Sequence, residues 1–164
     1  MVCPVCASRG NCAPHAGYTR SLIEYEGGKV VYRRVRIRRV RCGSCKHTHA
    51  ILPDCIVPYS TYSLLFILRV LAEYFLGLRT VEQLCRRYAI SASMLYQWKA
   101  LFLEHKAVWL GVLRDLETTP AGFIRQLLAL PRYSSDFGKP FWRKAARSFL
   151  QGHRDAACFR RAVF

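Results

Sequence analysis

Two pairs of cysteines carry the clearest chemistry in this 164-residue chain. Cys3-Pro4-Val5-Cys6 and Cys42-Gly43-Ser44-Cys45 each set two thiols a single tight turn apart, aimed at a common point. Four thiolates suit a tetrahedral zinc ion, and a closed four-ligand set leaves no position for substrate. The expected cofactor is therefore one structural Zn2+ on Cys3, Cys6, Cys42 and Cys45, with Gly43 easing the second turn. Cys12, His15, His47, His49 and Cys55 lie close by in sequence. With one four-sulfur set complete, they read as turn, packing or hydrogen-bonding residues. Cys85 and Cys158 read as small buried hydrophobes.

The 35 residues between Cys6 and Cys42 must return their ends to one place. Tyr18 to Glu26 and Lys29 to Arg41 are rich in β-branched and aromatic residues and flank Gly27-Gly28, which predicts a hairpin with a two-residue turn. Along its second strand Tyr32, Arg34, Arg36 and Arg38 alternate with Val31, Val35 and Ile37, so one face should pack and the other carry charge. Arg33 and Arg39 fall on the apolar side and break the pattern.

The expected fold is mainly α with a small β zinc ribbon. Residues 1–57 form the ribbon hairpin, 58–116 a helical domain with a helix-turn-helix at about 80–105, and 117–164 a basic, aromatic C-terminal segment. Helices are expected over 62–76, 80–89, 92–114, 121–130 and 140–151. In the helix-turn-helix, Val81, Leu84, Cys85 and Tyr88 line the inner face of the first helix. Ala89 makes the turn and Ile90 plugs the junction. Ser91 caps the second helix, whose inward residues are Met94, Leu95 and Trp98. Its outward face offers Ser93, Tyr96 and Gln97, with Lys99 beside them, to the edges of bases in a major groove. Gln97 suits adenine. Arg86 and Arg87 suit backbone phosphate, as do Arg34, Arg36 and Arg38.

Charge agrees with that reading. Lys and Arg number 26 against 10 Asp and Glu, a net +16, while 52% apolar residues make the chain too hydrophobic for a disordered basic tail. A folded surface this basic favours a polyanion, here double-stranded DNA. The first residues lack the pattern of a signal peptide, and the run Leu64 to Leu68 is stopped by Arg69 and Glu73, well short of the ~20 apolar residues of a membrane span. A cytoplasmic location is expected, where eight cysteines suggest metal before disulfides.

Several segments occur in an order that resembles a bacterial family of uncharacterised zinc-ribbon proteins, itself similar to the DNA-binding front ends of insertion-sequence transposases. They are Cys3-Pro4-Val5-Cys6, Arg38-Arg39-Val40-Arg41-Cys42-Gly43-Ser44-Cys45, Thr48-His49-Ala50, Leu52-Pro53, Val57-Pro58-Tyr59 and Tyr62-Ser63, followed by the helix-turn-helix ending at Trp98. The resemblance covers about residues 1–105. It implies a mobile-element origin and recognition of DNA, as regulator or as partner of a separate transposase catalytic subunit. Full transposases continue into a domain whose three carboxylates bind two metals. After Lys106 only 58 residues remain, too few for that domain, so no catalytic activity is expected and Asp115, Asp136 and Asp155 read as surface acids. Pairing of two copies across a two-fold DNA site fits the expected helix-turn-helix, and RNA or protein docking is the alternative use of such a ribbon. The aromatic and basic residues Phe141-Trp142-Arg143-Lys144 and Phe159-Arg160-Arg161 are read as rings docked on the helices with their cations in water.

Overall fold

The computed structural model describes residues 2–53, 55–109, 119–131, 134–145 and 147–152. The paired glycines make the predicted turn, both at positive φ (55° and 81°), and so close the two-residue hairpin that a right-twisted pair of strands prefers. From that turn two antiparallel strands run back, β1 (Cys12–Glu26) and β2 (Lys29–Cys42), in a register that starts at Glu26 opposite Lys29 and ends at Cys12 opposite Cys42. A short third strand, β3 (Thr48–Ile51), pairs with the far end of β2, giving the order β1-β2-β3.

Among the described residues five α-helices follow the sheet: α1 (Leu64–Phe75), α2 (Val81–Tyr88), α3 (Ala92–Trp109), α4 (Pro120–Ala129) and α5 (Lys139–Ala145). The expectation of a mainly α protein with a small zinc ribbon is corrected by this architecture. It is a small α+β fold in which a substantial sheet precedes the helices, with strands of 15 and 14 residues. The expected start of β1 at Tyr18 misses six residues, because Pro14 and Gly17, poor strand formers, sit at a bulge that the pairing tolerates. The four residues of β3 have too little local pattern to be read as a strand before β2 is there to pair them.

The sheet buries both faces in part. Leu22 and Ile37 pack on one side with Leu52 and Ile56, from the segment after β3. On the opposite side Ile23, Tyr25 and Val30, near the hairpin tip, pack against the helical core. That core holds Phe66, Leu68 and Leu71 of α1, Leu84 and Tyr88 of α2, and Leu95, Trp98 and Phe102 of α3. Tyr25 and Tyr88 meet ring to ring at 4.7 Å, and the Tyr88 hydroxyl donates to Glu73 Oε1 at 2.7 Å, so hairpin, α2 and α1 share one joint.

Local signals account for the helix ends. Ser63 caps α1, and Gly77 follows its end at positive φ. Thr80 begins α2 with a capping box completed by Gln83, and the Ser91 hydroxyl accepts from the Met94 amide at the start of α3. Ala89 makes the turn between them in the left-handed region (φ 51°), while Ile90 is buried beneath it. The α3 range runs to Trp109, and residues 110–114 of the expected longer helix lie outside the described residues. The α5 helix is shorter than the 140–151 expected, ending at Ala145. Phe141 is fully buried while Arg143 and Lys144 are exposed, so this part of the third region docks its ring on the helices. Phe159-Arg160-Arg161, Cys158, Asp115 and Asp155 lie outside the described residues; Asp136 is exposed. Among the described residues no helix is long and apolar enough to cross a membrane.

A left-handed conformation costs an alanine ~1 kcal/mol that glycine does not incur. Ala89→Gly is therefore expected to raise stability by about 0.5–1 kcal/mol, read as a higher denaturant midpoint with an unchanged slope.

Candidate metal centre

The hairpin register delivers the second knuckle to the first. Each knuckle folds on the same hydrogen-bond plan. In the first, the Cys3 amide donates to Ser8 O and the Ala7 amide donates back to Cys3 O, both at 2.9 Å. In the second, the Cys42 amide donates to His47 O at 2.9 Å and the Lys46 amide donates to Cys42 O at 3.0 Å. The residue after each second cysteine, Ala7 or Lys46, takes a positive φ (57° and 63°). Such a turn aims both sulfurs of a knuckle to one side, and here the two knuckles face each other.

The four sulfurs of Cys3, Cys6, Cys42 and Cys45 lie within 4.8 Å of one another and could hold a metal ion. Across the knuckles, Cys3 Sγ is 3.6 Å from Cys45 Sγ and Cys6 Sγ is 3.7 Å from Cys42 Sγ. None of the four is in a disulfide. Gly43 serves a purpose other than the turn chemistry expected of it. Its φ is not left-handed, but a Cβ there would collide with the Asn11 side chain, which donates to Ser44 Oγ at 2.8 Å while Asn11 O accepts from the Gly43 amide at 2.7 Å. Asn11 thus ties the second knuckle to the root of β1.

Crowding sets the acidity of these thiols. The Ser8 hydroxyl, 3.4 Å from both Cys6 Sγ and Cys42 Sγ, is the largest influence lowering each, and with the backbone amides of Cys45 and Ser44 it brings Cys42 down to about 5. Cys45 goes the other way. The His47 amide favours its thiolate, but burial and the neighbouring Cys3, Cys6 and Cys42 outweigh it and push the thiol up to about 12. Without a cation, one thiolate thus suppresses the next; a bound divalent ion removes that conflict.

Of the five nearby residues read as non-ligands, His49 stands apart. The β2–β3 register sets it opposite Val40, where it is buried, with Nε2 3.4 Å from Cys3 Sγ. Burial pushes its pKa down, so the ring is neutral at neutral pH and can donate Nε2–H to that sulfur. His47 lies outside the cluster, with Nδ1 3.1 Å from Cys45 O, and Cys55 packs in the second core. Cys12 is half-buried at the strand root, its pKa raised by burial first and then by the Cys42 charge. His49 thus fills the hydrogen-bonding role read for it beside the knuckles, although the sulfur it meets was not legible; Ser8 was not legible as a partner of the cluster.

The residues expected to meet DNA divide into two groups. Arg34, Arg36 and Arg38 line one exposed face of β2 and, among the described residues, have no ion-pair or hydrogen-bond partner. The two exceptions to the alternation are otherwise occupied, Arg33 by Glu24 and Glu26 and Arg39 by the Thr48 hydroxyl. On α3, Ser93, Tyr96 and Gln97 are exposed, with Ser91 before them at the cap. Arg86, Arg87 and Lys99 each also have a partner within the fold. Arg86 pairs with Glu82 at 2.7 Å. Arg87 lies over Tyr25 and reaches Glu73 at 3.7 Å, so it belongs to the joint between hairpin and helices. Lys99 donates to Tyr74 Oη at 2.9 Å.

A family model described as a domain of unknown function (DUF6431) matches residues 3–97, and the chain belongs to that family. No curated protein and no solved structure matches it. The matched span opens on the first cysteine of the cluster and closes on Gln97, so it takes in the sheet, α1, α2 and the first part of α3.

A hydrogen bond to a ligand sulfur typically changes metal affinity by about 10- to 100-fold when removed. His49→Ala should lower metal affinity within that range in a chelator competition, whereas Cys42→Ser should abolish stoichiometric metal measured by elemental analysis.

Proposed function

We propose that the chain is a zinc-stapled protein that binds duplex DNA and carries no catalytic centre of its own. Zinc is favoured by donor chemistry and spacing. At ~2.3 Å per Zn–S bond, a regular tetrahedron has sulfur–sulfur edges of about 3.8 Å, close to the 3.6 and 3.7 Å between the knuckles. The ion would be structural, since four protein ligands fill a tetrahedron and the cluster sits at the root of the strands that carry the arginines.

The observation that carries the DNA reading is the contrast among the arginines. Glu24, Glu26, Glu73, Glu82 and Glu104 each engage an arginine elsewhere in the fold. Arg34, Arg36 and Arg38 form a row, with Ser21, Thr19 and Gly17 opposite them and no carboxylate on that face of the pair. Successive members of the row are about 6.7 Å apart along an extended strand, comparable to the step between phosphates along one nucleic-acid strand. In this reading α2 and α3 act as a helix-turn-helix, with Ser93, Tyr96 and Gln97 presented to base edges and Ser91 at the helix start near backbone phosphate. A transposase-derived origin, a separate catalytic subunit and a paired, two-copy complex belong to the same reading and rest on the resemblance in motifs.

Binding driven by phosphate contacts weakens with salt, by ~0.9 log units of affinity per neutralised phosphate per log unit of salt. Mobility shifts over a salt series should show a steep slope for the native chain. The Arg34→Ala/Arg36→Ala/Arg38→Ala variant should lose roughly three phosphates' worth of that slope. A flat salt response, or an unchanged slope in the variant, would remove the arginine row from the interface.

A further inference from the structure

A cavity of about 550 Å³ opens between the segment 58–62 and α3. Its size falls in the ~300–1,000 Å³ range of pockets that take small organic groups. Tyr59, Thr61, Tyr62, Met94, Gln97 and Trp98 contribute to its wall, combining flat apolar rings with hydroxyl and amide groups. Three further observations bear on what could enter it.

The pocket lies at the end of the arginine row. On the sheet, Ile23 pairs with Tyr32 on one side and bridges to Tyr62 on the other, so these three residues form one cross-strand line. Arg34 stands on the same face as Tyr32 and two residues along, about 6.7 Å away, and Arg36 and Arg38 continue outward. Tyr32 is 72% exposed, an unusual state for a large ring on a packed sheet. A path of three cations without an ion-pair partner among the described residues thus runs through an exposed aromatic to an aromatic pocket.

Tyr59 at the rim is the second observation. It holds a left-handed backbone (φ 63°), a conformation costly for a bulky side chain, and its ring is half exposed. Glycine would take that φ without strain and would leave the cavity without this ring. Strain of this kind concentrates where a side chain must be presented to a ligand. The third is Gln97, an exposed lining residue whose amide can both donate and accept, as recognition of a base edge requires.

We infer that this pocket seats an unpaired nucleobase of the DNA strand whose phosphates follow Arg34, Arg36 and Arg38. The inference rests on the DNA reading above and extends it: the preferred ligand is a duplex with a single-stranded extension, not a blunt one. Rings of Tyr59 and Tyr62 would stack on or flank the base, and phosphates on its outer side would lie along β2.

Fluorescence titration with two probes tests this, one a blunt duplex and one the same duplex with a short overhang carrying 2-aminopurine. The overhang should bind about tenfold more tightly than the blunt probe, the size expected of one stacked base, and its fluorescence should fall on binding. Tyr59→Gly should abolish that difference while leaving the blunt-duplex affinity and its salt slope unchanged, which a variant that had merely lost its fold would not do. Thr61→Trp, which fills the cavity from an exposed position, should do the same. Equal binding of the two probes with a persistent salt slope would overturn the pocket and leave the duplex reading standing. No binding of either would overturn both. Tighter binding of an RNA overhang than a DNA one would overturn the assignment to DNA.

Discussion

Register between the two long strands is the constraint on which the remaining structure depends. The glycine turn starts the pairing at Glu26 and Lys29 and fixes it as far as Gly17 opposite Arg38; the bulge between Gly17 and Pro14 then shifts it by one, so that it ends with Cys12 opposite Cys42. Because side chains alternate along a strand, that choice sends Leu22, Val35 and Ile37 to one face and Arg34, Arg36 and Arg38 to the other. It also carries Cys42 back to the root of β1, where Asn11 holds the second knuckle against the first. A slip of one residue would bury arginines and separate the sulfurs together. Sheet packing fixes the register on the hairpin side of the bulge and the four-sulfur cluster fixes it beyond, at the root of the strands.

The opposite end of the hairpin is held by aromatic and charged groups acting as a unit. Tyr25 meets Tyr88 in a tilted ring contact, and the Arg69 and Arg87 guanidinium groups lie over the Tyr25 ring. Glu73 accepts from the Tyr88 hydroxyl and pairs with Arg79 and Arg87. Burial, with the Glu73 charge beside it, pushes the Tyr88 hydroxyl well above the usual tyrosine range, so it remains a donor at any ordinary pH. This joint fixes α2 to the sheet, and through the short Ala89 turn it sets where α3 begins. The arginine row and the outward residues of α3 thereby occupy one rigid frame.

Electrostatics divides the arginines by neighbourhood more than by sequence. Arg86 and Arg87 are adjacent and look equivalent, yet one makes an exposed helical pair and the other is packed over two tyrosine rings. An exposed pair contributes little to stability, whereas Arg87 spans three elements. The row on β2 differs again, since its neighbours across the strand are Gly17, Thr19 and Ser21, which offer no charge to pair with. A like-charged row on a folded surface is costly unless an anion completes it, and this is the physical ground for the proposed partner.

Local chemistry in the sequence already determined the cysteine pairs, the hairpin turn at Gly27-Gly28, the helix caps at Thr80 and Ser91, and the inward and outward faces of α2 and α3. Each depends on a turn, a cap or a period that a few consecutive residues impose on their own backbone. Tertiary structure alone decided that the sheet is a major layer with a third strand, that His49 and Ser8 attend the sulfurs, that Arg87 lies over Tyr25 and Lys99 reaches the Tyr74 hydroxyl, and that a cavity opens beside Tyr59. Those features arise where segments far apart in the chain meet, and no periodicity records which distant partner a side chain will find. The knuckles could be recognised from their spacing; that they face each other followed only from the pairing of two long strands, including the one-residue register shift at the bulge between Pro14 and Gly17 that sets Cys42 opposite Cys12.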